Sequence, residues 1–242
     1  MEMKPIPAKS NEEPQTGGLV ESVAQASPAA AAGLMAGDRV LSIDGRPLRD
    51  VIDYRFYLEP DGSELEVERD GSRFKVALHP GNDDAGLNFA TALFDRVRTC
   101  RCRCVFCFVD RLPEGLRPSL YLKDDDFRLS FLYGNFITMG NLTEADIERI
   151  LEQRLSPLYV SVHATDPLTR GQLMGCGEEL ASLGLESLRR LGRAGIETHI
   201  QIVLCPGMND REALEQTVTS LARDYPGVAS VGVVPVTVDP HY

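Results

Sequence analysis

The sequence lacks an apolar segment of membrane-spanning length, and its first sixteen residues, MEMKPIPAKSNEEPQT, lack the apolar core of a signal peptide. Acidic residues outnumber basic ones: the chain has 36 Asp and Glu and 25 Lys and Arg, which gives a net charge of −11. This balance argues against a nucleic-acid binder, which usually carries a basic face. Tryptophan is also absent, which excludes nothing. We therefore predict a cytoplasmic protein without membrane or nucleic-acid partners and with a disordered tail over residues 1–16.

Cysteine is scarce except in one place. The chain has six cysteines, and four of them lie within the stretch RTCRCRCVFCFVD, at Cys100, Cys102, Cys104 and Cys107. Without an export signal these cysteines are not expected to form disulfides, so the group indicates a metal site. A structural zinc site commonly uses two separated pairs of ligands, and the chain has no second Cys-x-x-Cys and no nearby His pair. Cys176 and Cys205 could complete a zinc site only from distant positions.

Three of the four cysteines have a spacing of their own. Cys100, Cys104 and Cys107 form Cys-x-x-x-Cys-x-x-Cys, and Cys102 falls outside that pattern. A four-iron four-sulfur cluster is held by Cys thiolates on its irons. Three thiolates would leave the fourth iron open to bind another molecule, much as a catalytic zinc keeps an open position.

Residues 17–80 have the pattern of a small β domain. Alternating segments GGLVESV and RVLSIDG predict strands, and Asp44-Gly45 and Asp70-Gly71 are turn signals. The polar segment that follows predicts a linker over residues 81–90.

From residue 91 the pattern changes to strands alternating with helices, which predicts parallel strands. We expect strands at ALFDRV, LSFLYGNFITM, LYVSVHA, ETHIQIVLC and VASVGVVPV. In YVSVHAT and HIQIVLC polar residues share one face, which favours a ligand-lined barrel lumen, although polar core residues with satisfied hydrogen bonds are the alternative. Because only about five strands precede the last residues, we expect a barrel that is incomplete at the C-terminus.

The segment SPAAAAGLMAGDRVLSIDGRPLRD resembles a PDZ domain. PDZ domains usually take a peptide C-terminus as an added strand, so the resemblance implies a protein or peptide partner. Only PQTGG precedes LVESV, however, and the first strand of such a domain is missing there. A PDZ-like module that binds no peptide is therefore the alternative.

The cysteine spacing, with Phe106 just before Cys107, resembles the signature of radical S-adenosylmethionine (SAM) enzymes. CFVDRLPEGLRPSLYLKDDDFRLSFLYGNFITM, RLSPLYVSVHATDPLTR and HIQIVLCPGMND are similar to a bacterial family of iron–sulfur oxidoreductases with a PDZ-like domain in front and no assigned substrate. The resemblance implies an α/β fold, in which a PDZ-like domain over 17–80 precedes a partial TIM-type (β/α) barrel over 91–242. It implies a [4Fe-4S] cluster and SAM as cofactors, an electron donor as partner, and radical chemistry on an unknown substrate.

The resemblance also assigns residues. Cluster ligands would be Cys100, Cys104 and Cys107. Residues for SAM would be Phe106, Gly134, Asn135, Ser161, His163, Asp166, Arg170 and Gln201. Arginines expected to offset the cluster charge are Arg96, Arg98, Arg101, Arg103 and Arg111. Asp124–Asp126 is predicted as a solvated loop, with a substrate role as the alternative, and Asn209 and Asp210 either face the site or cap the next helix.

Two other functions remain open at this stage. One is a binding or adaptor protein in which the PDZ-like domain acts and the cysteines hold a structural metal. The other is an enzyme whose cluster only carries electrons. A colourless zinc protein would favour the first, and a brown protein that never cleaves SAM would favour the second.

Overall fold

The computed structural model describes residues 17–81 and 84–236, and the predicted tail over 1–16 lies outside them. The chain divides into two compact units, with the boundary between Val97 and Arg98 rather than at the predicted residue 91. No helix among the described residues is long and apolar enough to cross a membrane.

The first unit is built on a six-stranded sheet in the order β5-β4-β2-β1-β6, with β3 paired to β2. The strands are β1 (Gly18–Val23), β2 (Arg39–Ile43), β3 (Arg46–Pro47), β4 (Ser63–Arg69), β5 (Ser72–Leu78) and β6 (Leu87–Phe89). The helices are α1 (Pro28–Ala31) and α2 (Val51–Tyr57). All pairings in this sheet are antiparallel. The predicted small β domain is thus confirmed.

The predicted turns and alternation account for this sheet. Asp70 and Gly71 join β4 to β5, and both take positive φ angles, 51° and 75°, as a tight hairpin turn requires. On β4, Leu65 and Val67 are fully buried and alternate with more exposed glutamates. These side chains belong to one apolar core that holds the sheet to the helices.

A strand lies where the sequence predicted only a linker. Strand β6 pairs antiparallel with β1, through Val20 with Phe89 and Val23 with Leu87. Phe94 packs into the same core, with its ring centroid 4.9 Å from that of Phe89. ALFDRV, predicted as the first strand of the second domain, therefore belongs to the first unit, because its phenylalanine completes this core. Strand β6, from later in the chain, therefore pairs with β1 in place of the first strand that the sequence lacks before LVESV.

The second unit contains three parallel strands and five α-helices in its described part. The strands are β7 (Leu158–Ser161), β8 (Thr198–Leu204) and β9 (Val228–Pro235). The helices are α3 (Phe127–Tyr133), α4 (Glu144–Glu152), α5 (Pro167–Met174), α6 (Gly177–Arg193) and α7 (Arg211–Asp224). The strand order is β7-β8-β9, and the strands follow one another through helical crossovers. The predicted parallel β/α arrangement is confirmed, while a TIM-type barrel stays a prediction.

The two faces of this sheet differ as the alternation predicted. Val160 and Ile200 are register partners and are buried. On the opposite face Ser161 pairs with Gln201, and Tyr159 pairs with His199, with ring centroids 4.9 Å apart. These four side chains are only partly buried. The sheet therefore keeps one polar face accessible at β7 and β8.

The prediction of a strand at LSFLYGNFITM is wrong for the first half of this segment. Residues Phe127–Tyr133 form α3, which begins at Asp126, whose side chain accepts the backbone N–H of Arg128. The helix ends at Gly134, whose φ of 76° is left-handed and suits glycine. Only Ile137 runs beside β7, in a parallel bridge to Val160. An apolar run of this length is compatible with the periodicity of a helix and with that of a strand. Here the Asp126 cap favours the helix.

Candidate functional site

The cysteine segment is fastened to the end of α5. The backbone N–H of Arg103 donates to the carbonyl of Met174 at 2.9 Å, and that of Val105 donates to Leu173 at 2.9 Å. The next residue, Gly175, ends α5, and a Cβ there would lie 2.4 Å from the carbonyl oxygen of Arg103. The close approach therefore requires glycine at this position.

Phe106 connects the cysteine segment to the sheet. Its ring lies 4.5 Å from that of His163, which is two residues past the end of β7, and it packs against buried Leu173 and Cys205. The Nδ1 atom of His163 accepts the backbone N–H of Val203, on β8, at 3.1 Å. The cysteine segment thus lies at the carboxyl ends of β7 and β8, where open α/β sheets commonly bind ligands.

His163 is held as a neutral imidazole. It is 3% exposed and adopts a φ of 65°, so it leaves the alternation of β7 and is not on the open polar face. Burial, with a smaller contribution from the charge of Arg170, lowers the pKa of His163 to about 3. Since Nδ1 accepts a hydrogen bond, the ring proton is on Nε2. This group can donate a hydrogen bond but cannot act as a cation at neutral pH.

Asn209 fixes the turn that carries His163. Its Oδ1 accepts the backbone N–H of Cys205 at 2.7 Å, and its Nδ2 donates to the carbonyls of His163 and Val203, both at 2.9 Å. Asn209 is 1% exposed. The side chain of Asn209 does not cap α7, because it joins the ends of two strands, and a role in the site stays a prediction. Asp210 is the residue before α7 but makes no side-chain cap bond.

The four neighbouring cysteines are not equivalent. Cys100, Cys104 and Cys107 are half-buried, whereas Cys102 is 3% exposed. The backbone N–H of Cys107 donates to the carbonyl of Cys104 at 3.0 Å, which makes a tight turn between them. The backbone N–H of Cys102 points to the sulfur of Cys100 at 3.4 Å. The three cysteines of the spacing are the accessible ones.

The thiols influence one another electrostatically. A hydrogen bond from the side chain of Cys102 is the main cause that lowers the pKa of Cys100 to about 7. Burial first, and then the negative charges of Cys100 and Cys107, raise the pKa of Cys104 to about 12. The bond to Cys100, with burial, raises the pKa of Cys102. Because Cys binds a metal group as the thiolate, metal binding here would be coupled to loss of the thiol protons.

The residues present fit a cluster in donor chemistry. Three accessible thiols with the Cys-x-x-x-Cys-x-x-Cys spacing are the ligand type that iron–sulfur clusters use. Among residues 17–81 and 84–236, no group of three or more His, Cys, Asp or Glu side chains is placed to hold a metal ion. In an iron–sulfur cluster each thiolate binds a different iron, so the thiolates need not converge on one ion. The absence of such a group among the described residues therefore concerns sites for a single ion, such as zinc.

Lys123 is a site residue that sequence reasoning missed. Its ammonium donates to the carbonyl of Cys102 at 3.0 Å and to a carboxylate oxygen of Asp110 at 2.7 Å. Its own carbonyl accepts the backbone N–H of Cys100 at 2.8 Å. Burial opposes its charge, but the bond to Asp110 and the nearby thiols raise the pKa of Lys123. Lys123 thus joins both ends of the cysteine segment and adds a positive charge beside it.

Replacing Lys123 by methionine should lower the iron that the protein retains after reconstitution to about half, because the segment loses two anchors and a charge. Iron analysis after gel filtration under nitrogen gives the measurement. Lys123→Arg is the matched control, since it keeps the charge and can still donate to both oxygens. Equal retention in the methionine variant would show that Lys123 does not organise the segment.

Asn135 and Gly134 lie beside the open polar face. The amide of Asn135 donates to Asp124 at 2.9 Å. A Cβ on Gly134 would contact the Tyr159 ring at 3.5 Å. Gly134 ends a helix, however, and not a strand as predicted. Gly134 thus borders the face of the sheet that carries Tyr159, Ser161 and Gln201, and the ligand-lined lumen that the alternation favours stays a prediction.

Asp166 and Arg170 are held by other groups. The carboxylate of Asp166 caps α5 by accepting the backbone N–H of Thr169 at 2.8 Å. Asp166 also borders an open groove of about 590 Å³ beside α7. Arg170 is 1% exposed, and its guanidinium donates to four backbone carbonyls. Those acceptors are Thr138, Ser161, Val162 and Ala181.

The predicted solvated loop at Asp124–Asp126 is wrong. Asp125 is 2% exposed and accepts both the N–H and the hydroxyl of Thr138. Asp126 is fully buried and accepts from Arg128 and from the backbone of Arg98. These carboxylates are buried because they satisfy backbone and side-chain donors, which a run of three aspartates does not reveal.

Comparison with known proteins identifies both units. The model of the Radical SAM-like domain family matches residues 80–231, more than half of the chain. A PDZ domain model matches residues 19–68. Among curated proteins, the regulator of sigma-E protease RseP of Escherichia coli (strain K12) is 35% identical over 79 residues, covering 30% of this chain. The match spans only 18% of that protein's length.

Solved structures with similarity include PDZ domains of two Listeria proteins. The PDZ domain of an SdrC-like protein from Listeria innocua is 24% identical, with 31% of this chain and 94% of that chain covered and a TM-score of 0.27. A protein from Geobacillus thermodenitrificans is 33% identical, with 26% and 76% covered and a TM-score of 0.23. The first unit is PDZ-like, because a PDZ domain model matches its residues 19–68, and the assignment of the second unit rests on the Radical SAM-like model.

Proposed function

Because this chain belongs to the Radical SAM-like domain family, we propose that it is a radical SAM enzyme that holds a [4Fe-4S] cluster and SAM and starts radical chemistry on a further substrate. One observation carries the proposal. The Cys-x-x-x-Cys-x-x-Cys segment lies against His163, at the carboxyl ends of two neighbouring parallel strands. Its free thiols support a reducing, cytoplasmic location.

The cysteines have distinct roles in this proposal. Cys100, Cys104 and Cys107 supply the thiolates, and buried Cys102 supplies packing and a hydrogen bond to the sulfur of Cys100. When bound, the cluster and SAM would supply a one-electron cleavage of the sulfonium that yields methionine and a hydrogen-abstracting 5′-deoxyadenosyl radical. Lys123 would offset part of the added negative charge.

The remaining residues are proposed to position SAM. Ser161 and Gln201 offer hydroxyl and amide groups on the accessible polar face, next to Asn135. Phe106 offers an apolar surface beside the cysteines, and His163 offers an N–H donor. Gly134 would let the protein backbone approach the ligand closely. In this assignment Asp166 and Arg170 support the strands and α5 and do not touch SAM.

The test is anaerobic reconstitution with iron and sulfide, followed by incubation with SAM and dithionite. We expect a brown protein that releases 5′-deoxyadenosine, measured by chromatography, and a variant with Cys104→Ala that releases none. A brown protein that never cleaves SAM would assign the cluster to electron transfer. A colourless protein with stoichiometric zinc would assign the cysteines to a structural metal and overturn the proposal.

A further inference from the structure

A second thiol lies beside the cysteine segment, although it is distant in sequence. Cys176 follows α5, and the end of this helix contacts the segment through the backbone N–H of Arg103, which donates to the carbonyl of Met174 at 2.9 Å. A Cβ on Gly175 would lie 2.4 Å from the carbonyl oxygen of Arg103. Cys102 and Cys176 are the chain neighbours of Arg103 and Gly175, so the same contact brings them together.

Both thiols lie near the buried guanidinium of Arg170. Burial lowers the pKa of Arg170, and the charges that oppose this lowering are first that of Cys176 and then that of Cys102. The pKa of Cys102 is raised chiefly by Cys100 and by burial, and after these by Cys176, ahead of Cys104. Electrostatic effects of this kind decrease with distance, so Cys176 is a close neighbour of Cys102.

Cys102 also contacts a predicted cluster ligand. Its side chain hydrogen-bonds to the sulfur of Cys100, which its backbone N–H approaches at 3.4 Å. Cys100 and Cys176 are half-buried, whereas Cys102 is 3% exposed. The three thiols therefore form a series in which the buried one touches the ligand and neighbours the third. Cys205 is separate, because it packs in an apolar core with Leu173.

We propose that Cys102 and Cys176 form a thiol relay that returns Cys100 to the thiol after it has been oxidised. The relay goes beyond the proposed function, which leaves Cys176 without a role, and its chemistry needs no cluster. Its substrate is a mixed disulfide on Cys100, formed with a small disulfide such as oxidised glutathione. A ligand cysteine must be reduced to bind iron, so the relay would keep an unloaded chain competent for the cluster.

Each step of the relay exchanges one S–S bond for another. Oxidised glutathione first joins one of its halves to Cys100 and releases the other as a thiol. The thiol of Cys102 then attacks the Cys100 sulfur, which forms the Cys100–Cys102 disulfide and releases the second glutathione. The thiol of Cys176 finally attacks the Cys102 sulfur, which forms the Cys102–Cys176 disulfide and leaves Cys100 as a thiol. In each step the attacking thiol gives its proton to the departing one, so that Cys102 and Cys176 are oxidised and one glutathione disulfide is reduced to two thiols.

The relay should run towards Cys176. A Cys100–Cys102 disulfide spans one intervening residue, so its ring is strained, and strained disulfides are the more easily reduced. Cys102 and Cys176 instead belong to two segments that are already in contact. An oxidisable thiol next to a resolving cysteine is the usual arrangement in reversible cysteine oxidation. In a reducing compartment the final disulfide is transient, and a reductant such as dithiothreitol would return both thiols.

The experiment uses the full chain, reduced and free of iron, treated with oxidised glutathione under nitrogen. Remaining thiols are blocked with N-ethylmaleimide, and tryptic peptides are measured by mass spectrometry. Trypsin puts Cys100, Cys102 and Cys176 on different peptides, residues 99–101, 102–103 and 171–189. We expect the link between 102–103 and 171–189 to be the main product, with residues 99–101 recovered as the blocked thiol.

Cys176→Ser should stop the relay at the Cys100–Cys102 disulfide and lower the recovery of free Cys100 about fivefold or more, because the last exchange has no attacking thiol. Cys102→Ser should stop the relay one step earlier and leave glutathione on Cys100. Cys205→Ala is the control and should match the native chain. The native chain unfolded in guanidinium should show no preference for the Cys102–Cys176 link, since the contact between the two segments is absent there.

A native chain that ends with Cys100 joined to Cys102, or a Cys176→Ser variant that recovers as much free Cys100 as the native chain, would overturn the relay. So would a Cys102–Cys176 link that is no more frequent in the folded chain than in the unfolded one. None of these results concerns the cluster, whose formation is tested separately by reconstitution. If reconstitution gives no cluster and the link forms as expected, the proposed function fails and the relay stands.

Discussion

Alanine in place of Cys100, Cys104 or Cys107 should remove most of the iron from the reconstituted protein, which we expect to hold about four irons per chain before substitution. Each of the three thiolates would occupy its own iron, so a protein with two of them cannot retain the cluster. The visible absorbance should fall in parallel with the iron. Iron analysis and absorbance spectra of the anaerobically prepared variants give the measurement.

Cys102→Ala is the matched control, and it should keep both iron and colour nearly unchanged. Cys102 is 3% exposed, and its contact with the sulfur of Cys100 includes a backbone N–H that alanine retains. Loss of the cluster in the Cys102 variant alone would reassign the ligands. Equal retention in all four variants would mean that these cysteines hold no cluster.

Much of the fold could be predicted because its signals are local. The Asp70-Gly71 turn specifies a hairpin from two residues, and period-two alternation specifies which side of β4 and β7 is buried. Strand β6 could not be found this way. It has three residues, and it pairs with β1, more than sixty residues earlier in the chain. The pairing is supported by a core that includes Phe89 and Phe94, and no local pattern in the sequence reveals that core.

The spacing of the candidate ligands could be found in the sequence, but the contacts that hold the cysteine segment could not. The spacing of Cys100, Cys104 and Cys107 is a sequence pattern, whereas the bonds from Lys123 depend on a fold that returns the chain to the cysteines. The same holds for Asn209, whose amide joins the ends of β7 and β8. From the sequence alone, a polar residue in a loop is predicted to be solvent-exposed when its hydrogen-bond partners are distant in the chain.

Arg170 shows the opposite case, because the sequence predicted that it contacts SAM, and in the structure its guanidinium donates to backbone carbonyls. Its guanidinium lies 2.8 Å from the carbonyls of Thr138 and Ala181 and 3.1 Å from those of Ser161 and Val162. It thereby links β7, the segment beside it and α6. A Cβ at Gly184 would lie 2.7 Å from its Nη1 atom, so α6 approaches it closely.

Arg170→Met should destabilise the second unit by about 4 kcal/mol, because four charge-assisted hydrogen bonds are lost and buried carbonyls lose a donor. Arg170→Lys should cause a smaller loss of stability than Arg170→Met, since one ammonium cannot reach all four acceptors. Hydrogen exchange followed by mass spectrometry, on peptides from β7 and α6, measures the opening free energy of this unit separately from the PDZ domain.

Arg193→Met, an exposed change on α6, is the control and should shift exchange by less than about 0.5 kcal/mol. The opposite result for Arg170 is equally informative. If Arg170→Met leaves exchange in β7 and α6 unchanged but weakens SAM binding to the reconstituted protein, then the guanidinium contacts the cofactor as the sequence predicted. Its hydrogen bonds to the carbonyls would then be a resting arrangement that SAM replaces, and not the reason the arginine is buried.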